Sequence, residues 1–290
     1  MRSLALVLAL GCGEATPDKL DTAAADDGVT DARFDPSTWP ETVGGERPVT
    51  VHTPDSWDGR TALPVLVVLH GYSATGAFQD LYFGSTERME REGMIVVAPD
   101  GTPDSQGFRF WNAATACCDF ERTGVDDVAY LSDMLDELET YFPVDRFVLL
   151  GHSNGGFMAH RLGCELGDRI TAIASLAGSN EARDCAETRP SVLQIHGTLD
   201  DTILYETNSW TLGARDSVEM WAEAAGCRDV EEVGQFNYAH EVPGAETRIE
   251  RWSGCTEGFA AELWTMEETG HIPAPTNRFL NDVHTWLLSR

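Results

Sequence analysis

Apolar residues in this chain fall in short unbroken runs separated by stretches of helical spacing. Leu63-Pro-Val-Leu-Val-Val-Leu69 is one such run, and Gly93-Met-Ile-Val-Val-Ala98 is another. Arg146-Phe-Val-Leu-Leu150, Ile170-Thr-Ala-Ile-Ala-Ser-Leu176 and Ser191-Val-Leu-Gln-Ile195 follow. A strand with one wet face would alternate; runs apolar at nearly every position suit parallel strands covered on both faces. Between them, Val125 to Phe142 places apolar side chains at 128, 131, 134, 135 and 138, one face of a helix. Asp126 and Asp127 stand in its first turn, where the helix dipole favours carboxylates. Gly156-Phe-Met-Ala-His-Arg-Leu162 reads as the first turns of a second helix, Ser217 to Ala225 as a third and Asn277 to Leu288 as a closing one. Thr247 to Trp252 and Ala261 to Met266 read as late strands. Strands alternating with helices predict an α/β fold with a doubly wound, mostly parallel sheet.

The pattern differs at the N-terminus. Arg2 precedes Leu4-Ala-Leu-Val-Leu-Ala-Leu10, an apolar stretch too short to span a bilayer, and Gly11-Cys12 follows. Residues 1–12 therefore read as an export signal. It resembles a bacterial lipoprotein signal, with Cys12 as the lipidated residue; an ordinary secretory signal is the alternative. Residues 13–44 are rich in Ala, Asp, Thr and Pro and read as a flexible acidic tether. Residues 45–290 are the expected catalytic domain. The expected location is outside the cytoplasm, secreted or in the periplasm and cell envelope. Membrane attachment is expected only through Cys12.

Charge narrows the partners. The 290 residues carry 48 acidic against 20 basic side chains, a formal net charge of −28. Such a surface repels nucleic acid and anionic lipid. Beyond Cys12, six cysteines remain, at 117, 118, 164, 185, 227 and 255. An even set in an exported protein suggests disulfides. Cys227 closes the helix from Ser217 and Cys255 follows the strand from Thr247, so these two are expected to pair. Cys164 with Cys185, flanking a strand, is the second expected pair. Adjacent Cys117 and Cys118 are left open. Without C-x-x-C or zinc-type spacing, no metal is expected.

The chemistry centres on Gly151-His-Ser-Asn-Gly155, between an apolar strand and a helix. A Ser between glycines at such a corner is a nucleophile elbow: the tight turn strains the Ser backbone and projects Oγ of Ser153 above the sheet. A hydroxyl needs a base, and the base needs an orienting carboxylate. On this topology the order is Ser, acid, His. His196-Gly-Thr-Leu-Asp200 follows the strand ending at Ile195, so Asp200 and its neighbour Asp201 are the candidate acids. His160 is too close to the elbow, His196 precedes the acid, and His240 lies in a polar loop. His284 reads as a helix-surface residue. His271, on the loop beyond the late strand, is the candidate base. Two backbone donors for an oxyanion are expected: the N–H of Asn154 and one from His70-Gly71-Tyr72-Ser73, with Tyr72 preferred over Ser73. His70 itself reads as a structural hydrogen-bonding residue.

Several motifs occur in one order: Leu69-His-Gly-Tyr72, Trp111-Asn112, Cys117-Cys118, Val125-Asp-Asp-Val128, Gly151-His-Ser-Asn-Gly-Gly156, His196-Gly-Thr-Leu-Asp200 and Gly270-His271. Together they resemble the polyhydroxybutyrate depolymerase and feruloyl/acetylxylan esterase group of α/β-hydrolases, the carbohydrate esterase family 1-like branch. The resemblance covers about residues 48 to 290. It implies hydrolysis of carboxylic esters by Ser153, Asp200 and His271, without cofactor or metal. It favours Asp200 over Asp201. It also implies that Trp111 and Asn112 lie near the substrate pocket, although Trp111 serves equally well as a core aromatic. In that group an aromatic-Pro-Gly run usually follows the catalytic His; here Ile272-Pro273-Ala274 stands there, which leaves the pocket wall and the substrate open. The expected substrates are feruloyl or acetyl esters on polysaccharide, or polyester oligomers; the depolymerase activity proper and a serine peptidase are the alternatives.

Overall fold

The computed structural model describes residues 35–181 and 189–290. The chain divides into two units, 1–32 and 33–290. The export signal with Cys12, and residues 13–34 of the expected tether, lie outside the described residues.

The main sheet begins with β1 (Thr42–Val43), β2 (Val49–His52), β3 (Leu63–Leu69) and β4 (Ile95–Val97). A small hairpin of β5 (Thr102–Pro103) and β6 (Arg109–Phe110) stands apart from it. The sheet continues with β7 (Val144–His152), β8 (Ile170–Leu176), β9 (Ser191–Gly197), β10 (Asp229–Phe236), β11 (Thr247–Ser253) and β12 (Ala261–Met266). Its order is β1-β2-β4-β3-β7-β8-β9-β12-β11-β10. Every pair from β4 across to β12 is parallel. Both edges are antiparallel.

The helices are α1 (Gly76–Phe83), α2 (Ser85–Glu92), α3 (Asp127–Tyr141), α4 (Asn154–Glu165), α5 (Ala214–Ala224) and α6 (Asn277–Leu288). They cover both faces, which is why the central strands carry unbroken apolar runs. Val65, Val67 and Leu69 of β3 pack with residues of α3 and α4, including Leu131, Leu135, Phe157 and Leu162. The alternate residues Leu66 and Val68 pack on the other face with Phe83 of α1 and Phe279 and Val283 of α6. This is the doubly wound α/β-hydrolase arrangement.

Two expectations change. The folded unit starts before residue 45: β1 pairs with β2, and Trp39 stacks on Trp57 at 4.8 Å and meets Phe142 at 5.0 Å. Residues 35–44 thus belong with the sheet, held by Trp39 and Val43 within a segment whose composition is otherwise polar. His284 is not on the helix surface. It is buried in α6, with Nδ1 donating to Leu280 O at 2.6 Å and Nε2 accepting from Ser85 Oγ at 2.9 Å. It shares the stripe of Leu280, Val283 and Leu287, the positions that a helix turns to its core.

Cys227 and Cys255 are disulfide-bonded across 28 residues. Cys117 and Cys118 form a vicinal disulfide across a cis peptide. Cys164 is disulfide-bonded, while its expected partner Cys185 lies outside the described residues. Among the described residues no helix is long and apolar enough to cross a membrane.

Candidate active site

The chain leaves β3 for β4 on one side and returns in β7 on the other. Strand order therefore reverses between β3 and β7, where a doubly wound sheet opens a crevice at its carboxyl ends. The loop after Leu69 and the corner after His152 meet there, since Leu69 pairs with Gly151.

Ser153 forms that corner with φ 53° and ψ −121°, a conformation that costs free energy and is retained by its surroundings. Only glycine fits at two neighbouring positions. A Cβ on Gly155 would strike the carbonyl of Leu69, and one on Gly151 would strike the carbonyl of Gly155. The Ser153 side chain does not cap α4, which leaves its hydroxyl for other contacts.

That hydroxyl meets His271. Ser153 Oγ lies 2.9 Å from His271 Nε2, and His271 Nδ1 lies 2.7 Å from Asp200 Oδ2. Asp200 is buried, and its Oδ1 accepts the backbone N–H groups of Thr202 and Ile203, each at 2.9 Å. Burial alone would raise its pKa. Hydrogen bonds from His196 and His271 outweigh burial and hold the carboxyl below its ordinary range. A carboxylate there requires His271 Nδ1 to carry the proton, so Nε2 presents a lone pair to the hydroxyl. Asp201, the rival acid, is exposed and, among the described residues, accepts only a 3.4 Å contact from Thr202 Oγ1.

The loop after β3 is pinned from below. His70 Nε2 accepts Gly101 N–H at 2.8 Å, so Nδ1 is the protonated nitrogen and donates to Gly71 O at 2.7 Å. The Ser73 N–H donates to Arg109 O at 2.8 Å and is thereby committed away from an oxyanion. Asn154 opens α4, where first-turn N–H groups lack helical acceptors. Its side chain grips Trp111 twice: Oδ1 accepts Trp111 N–H at 2.7 Å, and Nδ2 donates to Trp111 O at 2.9 Å.

Trp111 and Asn112 do not line the cleft. Trp111 is fully buried, with its indole N–H donating to His70 O at 3.0 Å. Asn112 is tied to α3, its N–H donating to Asp127 Oδ2 at 2.7 Å. Both brace the site because their polar groups are satisfied internally.

A cleft of about 470 Å³ opens beside Ser153 and His271, walled by Tyr72, Phe78, Tyr82 and Ile272. Sequence reasoning missed Phe78 and Tyr82, which lie on α1. The local signals were Thr75 before the helix, whose Oγ1 accepts Phe78 N–H, and aromatics at i and i+4. It also left His152 without a role. His152 Nε2 donates to His271 O at 3.0 Å, and burial pushes its pKa down to about 4, so it bonds as a neutral ring.

The family model described as "Putative esterase" matches residues 41–249. Ser153 and Asp200 fall within that span and His271 beyond it. Feruloyl esterase B of Piromyces equi is 26% identical over 242 residues, 78% of this chain and 42% of that protein. NocK of Nocardia uniformis subsp. tsuyamanensis, described as an esterase, is 29% identical over 229 residues, 72% of this chain and 64% of that protein. The chain thus spans less than two thirds of the length of either relative. The solved acetyl xylan esterase of Aspergillus awamori aligns with a TM-score of 0.60 at 14% identity, covering 83% of this chain and 94% of that one, a likeness of fold. With the family matched over most of its length and this sheet beneath the elbow, the chain belongs to the esterase family of α/β-hydrolases.

Proposed function

We propose that this protein is an exported serine hydrolase of carboxylic esters, with Ser153 as nucleophile, His271 as base and Asp200 as orienting acid. The observation that carries the reading is the continuous line from Ser153 Oγ through the His271 ring to Asp200, at 2.9 and 2.7 Å. His271 Nε2 takes the Ser153 proton as Oγ attacks the ester carbonyl, then returns it to the leaving alcohol. Water repeats the sequence on the acyl-enzyme. Asp200 fixes the imidazole tautomer and stabilises the imidazolium. The N–H groups of Asn154 and Tyr72 receive the oxyanion, and the commitment of Ser73 N–H to Arg109 supports Tyr72 as the second donor.

The aromatic and aliphatic walls from Phe78, Tyr82 and Ile272 favour an apolar or aryl acyl group. Feruloyl esters on polysaccharide fit that preference, and a relative named feruloyl esterase supports it. Export rests on the segment from Arg2 to Cys12 and on the disulfides.

The test is a panel of methyl ferulate, acetylated xylan, hydroxybutyrate oligomers and a matched peptide amide, run on the wild type and Ser153→Ala. The ferulate ester should turn over best and the amide not at all. Ser153→Ala should lose on the order of 10⁴-fold in kcat while folded. A folded variant that keeps more than about a tenth of the activity would overturn the assignment. Fractionation of the source cells, with mass analysis of the mature N-terminus, tests export and Cys12 lipidation.

A further inference from the structure

Beneath Asp200 runs a second line of polar side chains, fully internal to the fold. It starts at Trp221 on α5, whose indole N–H lies 3.0 Å from His160 Nδ1. His160 Nε2 lies 2.9 Å from Gln194 Oε1 on β9. Gln194 Nε2 lies 2.9 Å from Gly178 O and 3.3 Å from His196 Nδ1. His196 Nε2 faces Ile203 O at 2.8 Å and Asp200 Oδ2 at 3.2 Å. Trp221, His160, Gln194, His196 and Asp200 are all buried.

The direction of every bond follows from one end. An indole N–H only donates. His160 Nδ1 must therefore accept, and its proton sits on Nε2. Gln194 must then turn its carbonyl to His160 and its amide N–H groups to Gly178 and His196. His196 Nδ1 accepts in turn, so Nε2 carries the proton and shares it between Ile203 O and Asp200 Oδ2. The opposite tautomer would set a bare ring nitrogen against a carbonyl and a carboxylate oxygen, an uncompensated buried repulsion.

We propose that His196 is a positioning residue for the ester hydrolysis: its Nε2–H, fixed in that tautomer by Trp221, His160 and Gln194, shares the Asp200 charge and thereby tempers the basicity of His271. The inference rests on the triad reading above. Asp200 Oδ2 takes two imidazole donors, from His196 and His271. Without the first, its negative charge falls on His271 alone, and the imidazolium is held to higher pH. The other titratable group facing His271 is His152, whose ring centre lies 5.1 Å away and whose pKa burial depresses to about 4. It is therefore uncharged through the range in which activity develops.

The test uses the full chain. Long-range proton–nitrogen NMR of the wild type should place the protons of His160 and His196 on Nε2. His196→Leu should move the acid limb of kcat/KM up by on the order of one pH unit, tenfold lower activity on the acid side. His196→Gln, which keeps an N–H facing Asp200, should restore the wild-type limb. A proton on Nδ1 of His196 in the wild type, or an unshifted limb in folded His196→Leu, would overturn the proposal. If the variants do not fold, the wild-type tautomer decides. Turnover by Ser153→Ala would instead refute the triad and leave the tautomer result standing.

Discussion

His284 allows a measurement that needs no substrate. Burial lowers its pKa from 6.5 to about 4, against a weaker upward pull from the Leu280 carbonyl. The unfolded chain thus takes up a proton below pH 6.5 that the folded chain refuses. With the folded value depressed, the stabilising contribution is complete above pH 6.5 and is lost as pH falls to about 4. At about 1.4 kcal/mol per pH unit, full protonation of this one ring costs roughly 3 kcal/mol. His152 and His160 are likewise lowered to about 4 by burial. The three together give a slope of about 4 kcal/mol per pH unit in the middle of the window, enough to unfold an ordinary domain before pH 4. Asp200, whose folded pKa is lowered, acts below its ordinary carboxylate range and outside this window. In His284→Gln the slope should fall by about 1.4 kcal/mol per pH unit. Urea denaturation followed by circular dichroism across the window reads it directly. Equal slopes for the two proteins, or a wild type still folded at pH 3, would refute the reasoning.

Asp200→Asn should lose on the order of 10⁴-fold in kcat through the wrong His271 tautomer, while Asp201→Asn changes little; steady-state ester kinetics compare them. Asn154→Ala strands the buried N–H and C=O of Trp111 and should cost on the order of 3 kcal/mol, read by chemical denaturation. Replacing Cys227 and Cys255 together by Ser should cost about 3.6 kcal/mol for a loop of 28 residues, by the same assay. Phe78→Ala should raise KM for methyl ferulate more than for a short acetyl ester.

Burial on both faces is what made the centre of the fold legible. The runs at Leu63, Ile170 and Ser191 are strands because nearly every position is covered, and the glycines around Ser153 mark the corner that follows β7. The edges were not legible. β10 is largely exposed, with Val230 and Val233 open to solvent, so no alternation announces it; pairing with β11 holds it. The short helix α1 carries weak periodicity and α2 has one apolar residue, Met89, and with α1 went the wall of the cleft. That Ser153, Asp200 and His271 would meet was legible because chain order and strand ends restrict where each can stand. Trp111 could not be placed, since a large aromatic with one N–H suits a pocket and a core alike until its hydrogen bond to His70 is seen.

The pinning of Asn112 has a consequence for how such a site can diversify. Asn112 Nδ2 donates to Val125 O at 2.8 Å, and its N–H is fixed to Asp127. The chain between them, 113–124, buries Ala113, Cys117 and Cys118 in the core and has both ends fixed, while Asn154 locks the upstream stem to the elbow. It carries Phe120, whose ring meets Tyr72 edge-on at 5.3 Å beside the cleft. Doubling the length of such a loop costs only about 0.6 kcal/mol in closure entropy. The exposed stretch 120–124 is therefore an interchangeable part: insertions and substitutions there would rewrite the rim of the cleft, while Ser153 keeps its geometry.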